Sequence, residues 1–144
     1  MHNPIAHYPG YLLRRAASAR MAELARRLEP FGVSVTEASI LTLIAHNPDI
    51  SQAECGRVLG IQRANLNPLV RRLAARGLVE VVKQRGRAQG LQVSAMGEAA
   101  ASAITAVFEA NEADIIAGVP EALRPTLVAT LRALWPGEGA AEAE

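Results

Sequence analysis

Arg63, Asn67 and Arg71 recur at four-residue intervals, with Asn65 and Arg72 flanking them. On a helix that spacing gathers them on one face, and no acidic residue shares it. Arginine forms paired hydrogen bonds with guanine edges or phosphate oxygens, and asparagine pairs in the same way with adenine. Further along, Lys83-Gln84-Arg85-Gly86-Arg87 makes a basic loop with a glycine for its turn. From Arg57 to Arg87 eight cationic residues stand against Glu80 alone, a local excess of seven. Residues 1–56 balance five arginines with five acids, and residues 98–144 set Arg124 and Arg132 against eight acids. The total of +1 therefore hides a basic centre and an acidic tail, the asymmetry expected of a nucleic-acid binder. An arginine-rich helix face alone is more often a solvated surface. Its coincidence with a basic loop and with the helix signals around it gives it weight.

Those signals define the elements that position the basic residues. Ser51 with Glu54 three residues later is a capping box, in which each side chain satisfies an orphan donor at a helix start. Gly60 stands where that short helix, Ser51 to Leu59, ends, because glycine takes left-handed angles without penalty. A second helix runs from about Arg63 to Arg76, with Leu66, Leu69, Val70 and Leu73 as its apolar stripe. Pro68 inside it removes one backbone bond and is expected to kink or open it, and Gly77 stops it. Leu78 to Val82 has strand composition, Leu91 to Val93 is the return strand, and Ser94 can cap the next helix. Two short helices, a tight turn and a hairpin with a basic tip make a winged helix-turn-helix.

The flanks are helical. A chain of 144 residues, half hydrophobic but 3% aromatic, suits a single domain of packed helices. The first helix is expected from Tyr11 to about Leu28, with the seam Leu13, Ala17, Met21, Leu24, Leu28. Pro30, Gly32 and Ser34 mark a turn. Ser34 and Glu37 form a second capping box, ahead of a helix from Thr36 to His46 that buries Ile40, Leu41 and Ile44. Asp49-Ile50 is placed as a very short third strand beside the hairpin. A helix from Ala95 to Ala117, apolar on more than one side, calls for a partner chain. Pro120 is expected to start a last helix reaching Leu134 and Trp135. The winged core thus spans about 34–94, the flanking helices about 11–29 and 95–135, and the Ala/Glu/Gly tail 136–144 reads as disordered.

Other function classes lack their residues. The histidines are His2, His7 and His46, and there is no HExxH, no glycine-rich phosphate loop and no carboxylate pair at a useful spacing. No enzyme activity, cofactor or metal is expected. One cysteine, Cys55, cannot form an internal disulfide, which points to a reducing compartment. No apolar run approaches the ~18 residues of a membrane span, and no signal-peptide core opens the chain, so a cytoplasmic protein without membrane contact is expected.

The order SQAE…LGI…LVRRLAARGLVE…RA…L.VS..G resembles the MarR family of bacterial transcription regulators, over roughly residues 10–135 and most specifically from Ser51 to Gly97. The resemblance implies a mainly α fold with a small β-hairpin wing, and N- and C-terminal helices that form a homodimer. It implies Arg63, Asn65, Asn67, Arg71 and Arg72 at the major groove, and Arg85 and Arg87 on the wing, with Arg87 at the minor-groove position. One departure is that the family wing carries an acidic residue shortly before its arginine, whereas here Arg85 and Gly86 precede Arg87. Two copies about a two-fold axis would reach successive major grooves roughly 34–36 Å apart on double-stranded DNA, which calls for a pseudo-palindromic operator. The family further implies a repressor released by a small aromatic or phenolic ligand, with His7, Tyr8, Tyr11, Arg14, Arg15 and His46 as lining. Cys55 lies away from the family's N-terminal sensing cysteines and reads as a packing residue. The competing reading is a winged-helix protein–protein adaptor that does not bind DNA.

Overall fold

Helices begin where the chain supplies partners for their unpaired amides. In this computed structural model, which describes residues 2–83 and 89–135, α1 spans Pro9–Leu28. It starts two residues before the expected Tyr11, because Pro9 sits at its first turn, where a missing N–H costs nothing. A 3₁₀ turn, Glu29–Phe31, closes on Gly32 at φ +62.

Helix α2 spans Val35–His46 and α3 spans Gln52–Val58. Both capping boxes form. Ser34 Oγ accepts from the Glu37 amide at 3.2 Å, while Glu37 Oε2 accepts from the Ser34 amide at 2.9 Å. Ser51 and Glu54 repeat the pattern at 3.2 and 2.9 Å. Such a cap stabilises by about 1 kcal/mol. Gly60 at φ +63 turns the chain into α4, Arg63–Ala75, and Gly77 at φ +71 ends it. The wing pairs β1, Val79–Lys83, antiparallel with β2, Gln89–Val93, in the register Val79↔Val93 and Val81↔Leu91. The expected third strand is a single bridge, Ile50↔Leu91. Helix α5 spans Ala95–Ala117. Ser94 Oγ accepts from the Gly97 amide at 3.0 Å and donates to the Gly77 carbonyl at 2.5 Å, so one hydroxyl caps α5 and ties it to the end of α4.

The chain divides into two compact units, Met1–Glu109 and Ala110–Glu144. The core of the first holds Leu28, Ile40, Leu41 and Ile44 against Leu66, Val70, Leu73, Leu91 and Ile104, all buried. Of the α1 seam, Leu24 and Leu28 are buried, whereas Leu13 and Met21 are 47% and 50% exposed. In the second unit Pro120 heads a 3₁₀ turn, Glu121–Leu123, rather than the last helix. Helix α6 starts at Arg124 and spans Arg124–Leu134, with Pro125 in its first turn. The Arg124 guanidinium donates to the carbonyls of Val119, at 2.9 Å, and Ala117, at 3.3 Å, which serves the end of α5. No α6 side chain is buried.

The wing tip, 84–88, and the tail, 136–144, lie outside the described residues, and with them the expectations for Arg85, Arg87 and a disordered tail. Among the described residues no single helix is long and apolar enough to cross a membrane.

Candidate nucleic-acid interface

Burial sorts the residues of α4. Leu66, Val70 and Leu73 face the core and Leu69 is half-buried, so Arg63, Asn65 and Arg71 stand exposed on the other side. No hydrogen bond or ion pair from a described residue holds Arg63 or Arg71. Two free guanidinium groups and an amide on one exposed helix surface are suited to base edges and phosphates. Pro68, also exposed, lies inside α4 without ending it and leaves the Ala64 carbonyl without its usual amide donor.

Asn67 departs from the expected outer face. It is half-buried, and its Oδ1 is buried with no hydrogen-bond partner. One residue past Leu66 is a rotation of about 100°, which puts Asn67 at the margin of the buried stripe rather than opposite it.

Arg72 also departs from a free contact residue. Its Nε donates to Glu37 Oε1 of α2 at 2.8 Å, although the side chain remains 59% exposed. The outer face lacks acids along α4 itself, but α2 brings one to its edge. An exposed pair contributes about 0.2–1 kcal/mol, and burial of the Glu37 end places this one towards the upper part of that range. Burial pushes the Glu37 carboxyl up, but the Ser34 amide, the Arg72 guanidinium and the Ser34 hydroxyl together hold it below its ordinary range. Arg76, one turn further on, donates through Nη1 to the Gly32 carbonyl at 2.6 Å and through Nη2 to the Phe31 carbonyl at 2.7 Å. Glu37 and Arg76 were legible only as a cap and a terminal charge, since their partners lie 35 and 44 residues away.

The proposed ligand residues fall into two places. On α1, Tyr11 is half-buried, its hydroxyl accepts from Asn3 Nδ2 at 3.1 Å, and the Arg14 guanidinium lies 5.6 Å from its ring centroid. His7 meets Tyr8 edge-on at 4.5 Å. Tyr8, Arg14 and Arg15 are exposed. His46, at the end of α2, is exposed with Nδ1 2.9 Å from the Thr42 carbonyl. No hydrogen bond, ion pair or ring contact among the described residues joins it to the α1 group.

Cys55 is fully buried, and burial pushes its thiol up, which disfavours the reactive thiolate. Among the described residues no three His, Cys, Asp or Glu side chains gather to hold a metal ion.

A sequence profile of the MarR family matches residues 31–90, from the turn after α1 into β2. The Rv2887 MarR family protein of Mycobacterium tuberculosis, solved in complex with DNA, superposes with a TM-score of 0.71 at 26% identity, over 88% of this chain and 97% of that one. The chain resembles the MarR family. Its members are transcription regulators. Another MarR family structure, a regulator from Rhodococcus sp. RHA1, shares the fold at a TM-score of 0.79 and 20% identity, over 92% of this chain and 97% of that one. Rv2887 has also been solved with salicylic acid, at 26% identity and a TM-score of 0.69, over 88% of this chain and 95% of that one. A relative from Thauera aromatica, whose name assigns it to transcriptional regulation of the hcr operon, is 26% identical over 94% of this chain and 83% of its own length.

Proposed function

We propose that this chain is a MarR family regulator: a homodimeric, sequence-specific DNA-binding repressor of the cytoplasm. In this reading α4 enters the major groove, the wing lies along the minor groove, and a small aromatic or phenolic acid releases the complex. The observation that carries it is the exposed, unpaired set Arg63, Asn65 and Arg71 at the centre of a local excess of seven positive charges. The DNA complex of the Rv2887 relative supports DNA as the partner, and its salicylic acid complex supports the ligand class. An arginine stacked on Tyr11 is suited to an aromatic carboxylate, since a guanidinium binds carboxylates and a phenol ring stacks. Half-exposed Leu13 and Met21 on α1, and Val128, Leu131 and Leu134 on α6, provide apolar surface that a second copy can cover.

The test is duplex binding as a function of salt for the full chain and for Arg63→Ala, Arg71→Ala and Arg87→Ala. Wild-type affinity is expected to fall steeply with salt, and each variant to lower that slope by about 1 per lost phosphate contact or to relax base preference. Unchanged affinity and slope in all three variants would overturn the reading and leave the adaptor in its place.

A further inference from the structure

The C-terminal end of α4 is tied twice by side-chain hydrogen bonds to one short corner, whereas among the described residues its N-terminal half is held to other elements by apolar packing at Leu66 and Leu69 alone. Arg72 reaches Glu37, and Arg76, its i+4 neighbour, grips the carbonyls of Phe31 and Gly32. The corner is itself braced. The Gly32 amide donates to the Glu29 carbonyl at 2.9 Å, and Glu37 Oε2 accepts from both the amide and the hydroxyl of Ser34, at 2.9 and 2.8 Å. Glu37 therefore spends one oxygen on the cap of α2 and the other on α4.

Resting on the DNA-binding reading, we infer that Glu37, Arg72 and Arg76 are positioning residues, which set the angle at which α4 presents Arg63, Asn65 and Arg71, and that Arg72 is not itself a phosphate contact. Leverage makes this consequential. A helix of 13 residues is about 20 Å long. A tilt of about 5° at the tied end moves Arg63 by almost 2 Å, more than the tolerance of a base-edge hydrogen bond. Attraction to the phosphates tolerates such a shift, whereas base reading does not.

The experiment compares a selected specific duplex with an unrelated duplex over a salt series, for wild type, Arg71→Ala, Arg72→Ala, Glu37→Ala, Glu37→Gln and the Arg72→Ala/Glu37→Ala double variant. Arg72→Ala is expected to weaken specific binding about tenfold, as is typical within one hydrogen-bond network, while the unrelated duplex and the salt slope stay at wild-type values. Glu37→Ala should do the same, and the double variant should lose no more than either single one. Glu37→Gln keeps a single acceptor oxygen, enough for the capping box but not for Arg72 as well, so it should stay folded and lose specific binding as Glu37→Ala does. A slope lowered by about 1 in Arg72→Ala, an additive double variant, or full specific affinity in Arg72→Ala would each overturn the inference. If wild type binds without salt dependence and Arg71→Ala changes nothing, the DNA-binding reading itself fails. That outcome is distinct because it shows in the wild-type arm.

Discussion

Gly97 sits so close to Leu78 that a Cβ at Gly97 would overlap the Leu78 carbonyl oxygen. That carbonyl also accepts from the Ser94 amide at 3.1 Å, and the same Cβ would lie 3.2 Å from Val93 Cβ. The first turn of α5 thus presses its backbone directly onto the backbone of Leu78 at the base of the wing. Because the obstructing atom cannot rotate away, Gly97→Ala is expected to cost towards the upper end of the roughly 1–3 kcal/mol of overpacked sites, despite its better helix propensity. The melting temperature should fall by about 5–10 °C for a chain of this size. Gly10→Ala, which meets nothing within 4 Å, is the control and should melt at or slightly above wild type.

Glu23, Glu37 and Glu54 all have carboxyls held below the ordinary range: Glu23 at about 2 by Arg26 and Arg27, Glu54 by the Ser51 hydroxyl and amide, and Glu37 by Ser34 and Arg72 against its own burial. The unfolded chain therefore binds protons more readily than the folded one. Their stabilisation is complete above the unfolded carboxylate value of about 4.3 and is lost as pH falls through the lower folded values. Acid titration of the unfolding free energy should show a decline beginning below about pH 5. Glu37→Gln should be less stable than wild type at pH 7 and should show a shallower decline. An equally steep decline in that variant would mean Glu37 does not take part.

Cys55 lies among fully buried apolar side chains with its thiol pushed up. Alkylation by a thiol reagent is expected to be slow in the folded protein and to become fast in denaturant. Peroxide treatment should leave duplex binding unchanged. Rapid modification at neutral pH without denaturant would indicate that the site opens.

The local part of this architecture was legible in the chain. Ser34/Glu37 and Ser51/Glu54 announce two helix starts, Gly60 and Gly77 announce two helix ends, and the Leu66–Leu73 stripe tells α4 which side to bury. Each of these signals acts within a turn or two, so sequence spacing carries it. What spacing does not carry is which distant group arrives beside a charge. Arg72 looked free because its acid sits on another helix, and Asn67 looked exposed because a four-residue interval ignores how wide the buried stripe is. Pro120 misplaced the last helix for a related reason. Proline suits the entry of a 3₁₀ turn as well as the first turn of an α-helix, and Pro125 takes the latter place.

Helix α6 carries the last prediction. Val128, Leu131 and Trp135 follow i, i+3, i+7 spacing and are 51%, 44% and 77% exposed. Such a stripe in water forgoes about 25 cal/mol for each Å² left uncovered, which a second chain recovers on pairing. Leu131→Lys places a charge in that stripe, and in a two-fold dimer it does so in both copies. Because Leu131 is exposed in the protomer, the fold should change by less than about 0.5 kcal/mol. The dimer should weaken at least tenfold, since truncated or charged anchors commonly cost more than 1 kcal/mol at an interface. Sedimentation across a concentration series is expected to show dimer for wild type and mostly monomer for Leu131→Lys at the same concentration. Binding to a two-half-site duplex should fall with it, because one protomer reaches one groove. If Leu131→Lys sediments as wild type, α6 is not in the interface, and the dimer must be built on the exposed half of α1 instead.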